Sequence, residues 1–356
     1  MPPLNRCRCL VLLFAGLIAL SSSVYSQTAY SQTATQQTAT PAPAQPPQDL
    51  PEIQQLLSRG QLKEAEAKLT VLAAEHPEPA GTERLLGTIH YQRNDFAAAD
   101  AAFERAIAQN HDDLDSVQMR GVTLYRMGKA TEAIPLLERS NSAIGASNSD
   151  STYVLAVCYM EVHRYDDARR IFAKQYKLPP SSAASYLFLA RMLLRRNYPA
   201  ESAQMAEKAL VLDPHLPLAH LLLGQIALTT SREAEAVIQL EAERKINPMD
   251  GEVYEHLGDA YLRASRFEDA QQTLDCAVLL EPNSTGPYIL LGQVLLKRSD
   301  PATALNYLVR AEKMDPGNHL THLLLGQAYR AAGRKEDATR EYKTAETLQN
   351  APGDHD

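Results

Sequence analysis

Histidine and cysteine are the side chains of this 356-residue chain that could ligate a metal or act as nucleophiles. Five of its ten histidines, His215, His220, His256, His319 and His322, gather in the second half. His319 and His322 stand three apart, a spacing that puts two imidazoles on one helix face and would supply half of a metal site. The four cysteines offer less. Cys7 and Cys9 stand before or at the start of an apolar run, and Cys158 and Cys276 are 276 − 158 = 118 residues apart. No H-E-x-x-H, G-x-S-x-G, phosphate loop or C-x-x-C is present, so the spacings of metal-assisted hydrolysis, a nucleophile elbow or phosphoryl transfer are missing. The expectation is a chain with no catalytic site, no metal and no cofactor.

The elements that position these residues are clearest between Gly251 and Ser284. Tyr254, Leu257, Gly258 and Tyr261 recur at offsets of three and four, which puts them on one face of a first helix. Ala270, Leu274 and Ala277 do the same on a second helix. Ala264, Ser265 and Arg266 form a polar turn between them, and Pro282 ends the unit because proline lacks an N–H and restricts the residue before it. The small residues Gly258, Ala270 and Ala277 mark where two helices can approach closely.

This unit recurs. Its central small residue falls at Ala65, Ala99, Ala133, Ala168, Ser202, Ala236, Ala270, Ala304 and Ala338, at intervals of 34, with a single 35 between Ala133 and Ala168. The glycine place follows at Gly87, Gly121, Ala156, Ala190, Gly224, Gly258, Gly292 and Gly326, and the stop proline at Pro77, Pro180, Pro214, Pro248, Pro282 and Pro316. The extra residue and a missing proline fall between Asn141 and Ser149, the one place suited to a hinge. Pro199 and Pro301 stand where second helices begin and cost nothing there, whereas Pro135 is harmless only within or just past the first turn.

On Tyr254, Leu257-Gly258, Tyr261, Ala270, Leu274, Ala277 and Pro282 the unit resembles the tetratricopeptide repeat (TPR) family. The resemblance covers about nine repeats over residues 49–350 and implies an all-α, right-handed α-solenoid of stacked helix-turn-helix repeats. It also implies that first helices line a concave groove. Read on the family's groove offsets, the ligand-facing residues are Leu221, Gln225 and Leu228; Glu255, Asp259 and Leu262; Ile289, Gln293 and Leu296; and Leu323, Gln327 and Arg330. The Lys and Asn of the family's carboxylate clamp are absent, and Leu222, His256, Leu290 and Leu324 stand where the asparagine ladder of its glycosyltransferases would be. Amide side chains can both donate to and accept from an extended peptide backbone, while flanking Leu and Ile bury apolar side chains. Alternatively, those leucines pack between helices and the glutamines are solvated. Glu255 and Asp259 interrupt the series and would receive a positive charge. His220 and His322 occupy the place of Tyr254 and Tyr288 and are read as planar packing residues rather than ligands.

The ends differ in composition. Arg6 and Arg8 precede the apolar run Cys9–Leu20, too short to span a bilayer comfortably, and Val24-Tyr25-Ser26 suits cleavage. Residues 1–26 therefore read as a secretory signal peptide, with an uncleaved membrane tether as the alternative and no permanent membrane span after cleavage. Residues 27–48, rich in Ala, Thr, Gln and Pro, read as a disordered linker and 351–356 as a disordered tail. The two remaining cysteines are too far apart in a stacked array for a disulfide and read as small core residues. A net charge of −8 argues against a nucleic-acid partner, which would need a basic stripe. The sequence thus predicts an exported, periplasmic or secreted, non-enzymatic scaffold or adaptor for cell-envelope assembly that binds a protein or peptide segment. The alternative is an accessory subunit of a polysaccharide synthesis, export or secretion machine.

Overall fold

The computed structural model describes residues 49–75, 79–144 and 149–350. The expected signal peptide, the linker and the tail lie outside the described residues, as do Pro77 and the centre of the suggested hinge, residues 145–148. The described residues are helical throughout, without a strand among them, and belong to one unit, Pro46–Asp356.

Among the described residues eighteen helices run in pairs. They are α1 (Asp49–Ser58) with α2 (Leu62–Ala73), α3 (Thr82–Gln92) with α4 (Phe96–Gln109), α5 (Leu114–Arg126) with α6 (Ala130–Ile144), and α7 (Ser149–Glu161) with α8 (Tyr165–Gln175). Next come α9 (Ala183–Arg195) with α10 (Pro199–Leu212), α11 (Ala219–Thr229) with α12 (Glu233–Ile246), and α13 (Gly251–Arg263) with α14 (Phe267–Leu280). The array closes with α15 (Thr285–Lys297) and α16 (Pro301–Met314), then α17 (His319–Ala331) and α18 (Lys335–Gln349). In the first pair α1 is shorter than the later first helices.

One contact recurs in six of the pairs. A methyl group at Gly224, Gly258 or Gly292 would come within 2.4–2.5 Å of Cγ of Leu240, Leu274 or Leu308, always the residue sixteen further on. Gly87 meets Phe103, Gly121 meets Leu137 and Gly326 meets Tyr342 at the same offset. The small residue is the groove into which the second helix's large side chain drops. Where Ala190 replaces glycine, the residue sixteen on is the small Ala206, so the fit survives.

Every turn within a pair places one residue in the left-handed region: Gly60, Asn94, Gly128, His163, Asn197, Ser231, Ser265, Ser299 and Gly333. Only three of the nine are glycine, so the other six accept the Cβ penalty to keep the tight reversal.

First helices also pack on the next first helix, as α5 does on α7, α11 on α13, α13 on α15 and α15 on α17, whereas second helices pack chiefly on first helices. The odd-numbered layer is therefore the inner, concave one. Stacked all-α pairs of this kind form an α-solenoid.

One detail differs from the sequence reading and two sharpen it. Cys158 is buried, and burial with the nearby charge of Glu161 pushes its thiol up to about 12, but Cys276 is exposed and is no core residue. It stands where Arg310 stands one repeat later, an outward place. Glu341, although it follows Arg340 in a charged stretch of α18, is only 6% exposed and turns inward to His322. Pro135 falls at the sixth residue of α6, beyond the first turn. Pro199 and Pro301 do open α10 and α16.

Candidate peptide-binding groove

The expected groove residues sit on the four first helices α11, α13, α15 and α17, and the structure brings five of the twelve together. Glu255, Asp259, Leu262, Ile289 and Gln293 line one groove of about 880 Å³, joined by His256, Leu290, Lys297 and Leu320 among others. Leu290 and His256 occupy the family's ladder offset. Leu320 and Lys297 lie outside the offsets used to choose the twelve, and only the packing of α15 against α17 puts Leu320 there.

Burial separates the apolar members. Leu221, Leu228, Leu262 and Ile289 are at most 7% exposed and belong to the cores between helices. Leu296 is half-buried against the core of the last two repeats. By contrast Leu320 and Leu323, three apart on α17, are 39% and 38% exposed. Leu320 lines the groove and Leu323 stands one turn along the same helix beyond it, so both leave apolar surface that a ligand could still cover.

The polar members divide in the same way. The amide of Gln225 donates to Glu252 at 3.1 Å and to Nε2 of His256 at 3.0 Å, so it bridges α11 to α13 and is not free. Asp259 accepts from Arg263 Nε at 3.0 Å and pairs with its Nη2 at 2.9 Å, and the same guanidinium donates to the carbonyl of Leu228 at 3.2 Å. Gln293 and Gln327 are half-buried and Arg330 is exposed.

Glu255 is different. Its carboxylate lies over Gly286, where a methyl group would come within 1.9 Å of Oε1 and would push the carboxylate aside. Ser284 is its hydrogen-bonding neighbour, and no cationic side chain among the described residues pairs with it. Burial raises its pKa above the usual carboxylate range, and the charges of Glu281 and Glu252 raise it further. A half-buried carboxylate among like charges favours its protonated form or a nearby cation. Glu233, also half-buried, adds a further negative charge to the same wall.

A tetratricopeptide-repeat pattern matches residues 153–217 and 289–355, and the pattern described as anaphase-promoting complex, cyclosome, subunit 3 matches 92–175. The chain is a tetratricopeptide-repeat protein. Comparison with curated proteins gives no match. Among solved structures, this tetratricopeptide-repeat chain is similar to YrrB, described as a TPR protein with an unusual peptide-binding site. That likeness has 22% identity and a TM-score of 0.44 over 53% of this chain and 95% of YrrB. MamA of Desulfovibrio magneticus RS-1 shares 18% identity at a TM-score of 0.45, over 48% of this chain and 96% of that one. The Cut9–Hcn1 hetero-tetramer of the APC/C shares 15% at 0.47, over 82% of this chain and 57% of its own. Nothing in the described tetratricopeptide repeats is a helix long and apolar enough to cross a membrane.

Proposed function

We propose that this chain is an exported, non-enzymatic scaffold that holds an extended peptide segment of a partner protein in the groove over α13, α15 and α17. The segment carries a lysine or arginine that pairs with Glu255 and an apolar side chain that covers Leu320 and Leu323. Gln293, between them, supplies donors and an acceptor to the peptide backbone. The observation that carries this reading is Glu255: a half-buried carboxylate with like-charged neighbours gains from a ligand cation what it lost by leaving water. Export rests on the composition of residues 1–26, and cell-envelope assembly on that export.

A panel of fluorescein-labelled peptides, identical except for one central Lys, Gln or Glu between leucines, tests the groove by fluorescence polarisation. The Lys peptide should bind about tenfold tighter than the Glu peptide, roughly 1.4 kcal/mol, and Glu255→Gln should erase the preference. Gln293→Ala with Leu323→Ala should weaken every peptide without changing helical content. Equal binding of all three peptides to wild type and Glu255→Gln would remove Glu255 from the site. N-terminal sequencing of the chain recovered from cells should start near Gln27, and a start at Met1 would refute export by cleavage.

A further inference from the structure

The last repeat holds a buried cluster that the groove does not use. His322 on α17, Glu341 on α18 and Glu312 on α16 bring one ring nitrogen and two carboxylate oxygens within 4.8 Å of one another. His322 and Glu341 are 5% and 6% exposed, and Glu312 is half-buried. Three helices from two adjacent repeats each deliver one ligand atom to a single point. No second group of this kind occurs among the described residues.

What the ring touches fixes its protons. Nε2 of His322 lies 3.0 Å from the carbonyl oxygen of Pro316, and a carbonyl only accepts, so Nε2 carries a hydrogen. In the neutral imidazole the lone pair is then on Nδ1, which lies 2.8 Å from Oε2 of Glu341. A lone pair aimed at a carboxylate oxygen is repulsive, so a positive charge belongs between them. A proton on Nδ1 is one such charge. A divalent cation is the other, and it could be ligated by Glu312 directly, where a proton on Nδ1 is only attracted by its charge. A ligating histidine ordinarily anchors its other N–H on a carbonyl or carboxylate, which fixes ring and tautomer, and the bond to Pro316 has that form.

The neighbouring repeats show that ordinary packing does not need these charges. The places of Glu312, His322 and Glu341 are filled by Val278, Tyr288 and Tyr307 one repeat earlier, where the two rings pack 6.3 Å apart. They are filled by Arg244, Tyr254 and Thr273 in the repeat before that. Tyr254 and Tyr288 make the same reach as His322, donating to the carbonyls of Pro248 and Pro282. Packing and the loop contact are thus met by tyrosine. The imidazole and two carboxylates are an addition.

We propose that Glu312, His322 and Glu341 form a divalent-cation site that joins the final helix pair to the repeat before it. One imidazole and two carboxylates suit a borderline cation such as Zn²⁺, with solvent reaching it on the Glu312 side. Binding replaces any proton on Nδ1 by the metal, and the Nε2–H bond to Pro316 is kept.

Chelator-stripped full-length protein is titrated with Zn²⁺ by calorimetry and melted with and without it. One equivalent should bind and the melting temperature should rise by several degrees. Glu341→Gln installs the amide that stands at Gln239 in repeat six, and Glu312→Gln alters a half-buried residue whose loss leaves the core packing alone. Each should weaken Zn²⁺ binding by about tenfold or more. With Co²⁺ in place of Zn²⁺, visible ligand-field bands should appear in wild type and fade in both variants. A Cys276→Ser background removes the exposed thiol as a competing ligand. Absence of a stoichiometric site in wild type, or equal Zn²⁺ affinity in wild type and both variants, would overturn the proposal and leave an imidazolium–carboxylate pair.

Discussion

Repeats six and nine carry histidine at the same place, yet the two surroundings have opposite chemistry. In repeat six, Nδ1 of His220 meets the neutral amide oxygen of Gln239 at 2.6 Å, and the ring is half-buried. In repeat nine, His322 meets the carboxylate of Glu341 and is nearly inaccessible. Burial works against charging His322, but its hydrogen bonds to Glu341 and Pro316 and the charges of Glu341 and Glu312 outweigh it, so its pKa lies above the ordinary histidine value. The helix starts differ too. Asn318 caps α17 by accepting from Thr321 N at 3.1 Å. In repeat six the corresponding residue is Leu216, and α11 begins after Leu218, which is forced into the left-handed region.

The missing cap is replaced from elsewhere. Glu243 is fully buried, and its two oxygens accept from Leu218 N at 2.8 Å and Leu221 N at 3.1 Å. It occupies the place of Ala277, Ala311 and Ala345 in the later repeats. A carboxylate at a helix N-terminus satisfies orphan donors and complements the helix dipole. A repeat array holds geometry constant, so one substitution changes the chemistry at a fixed address. The side chain that compensates can come from the other helix of the pair.

Breaking repeat six at Glu243 should have the largest effect. Glu243→Ala installs the residue normal for the later repeats but leaves the buried N–H of Leu221 and the partly buried N–H of Leu218 without this acceptor. The expected cost is about 2–4 kcal/mol, read as a lower urea midpoint and faster hydrogen exchange in α11. Adding Leu216→Asn supplies the cap that Asn318 gives repeat nine, with Pro217 then at the first helical position, and should recover about 1 kcal/mol. A double variant no better than the single one would show that Glu243 acts by packing and not by capping.

Exchanging the histidines sharpens the contrast at a smaller scale. His322→Tyr keeps the reach to Pro316 but leaves the buried Glu341 with Arg340, 3.3 Å away, as its one cationic partner, at a cost of about 1–3 kcal/mol. His220→Tyr, beside an amide, should change stability by no more than about 0.5 kcal/mol. Both are measured by urea unfolding in the presence of chelator. Equal costs would mean that the two sites differ in name only.

Between these repeats Glu255 provides a third arrangement, a carboxylate with neither paired N–H groups nor an imidazole, and the smallest effect. Its pKa is raised on folding, so the folded chain binds that proton more tightly than the unfolded one. Stability then falls as pH rises from the unfolded carboxylate range through the raised folded value, and the penalty is complete above it. Glu255→Gln should therefore melt slightly higher than wild type at neutral pH and no higher in acid. A lower melting temperature at neutral pH would mean that Glu255 is a structural cap of α15 rather than a ligand group.

The fold was legible because its information is local. The contact of Gly258 with Leu274 spans sixteen residues and one turn, and its repetition every 34 is visible without coordinates. The inward turn of Glu341 was also legible, since it lies three after Ala338 and four before Ala345 on one helix face, although a run of charged neighbours pointed outward. The pairing of Asp259 with Arg263, four apart, could have been read in the same way. The groove was less accessible. That Gln225 is occupied by Glu252 and His256, and that Leu320 joins the wall from α17, depends on how far one helix is shifted along the next.

By itself the sequence determined the helix pairs, their order and the layer that each joins, because period and small-to-large contacts are set within one repeat. Only the tertiary structure decided which charges are satisfied. Asp259 and Glu255 lie four apart on the same helix, but one has an arginine and the other only a serine and the start of the next helix. Glu341 and Glu312 meet His322 across three helices. Electrostatic energy depends on distances of a few ångströms and on the water left between the groups, and those are fixed by packing between repeats rather than by spacing along the chain.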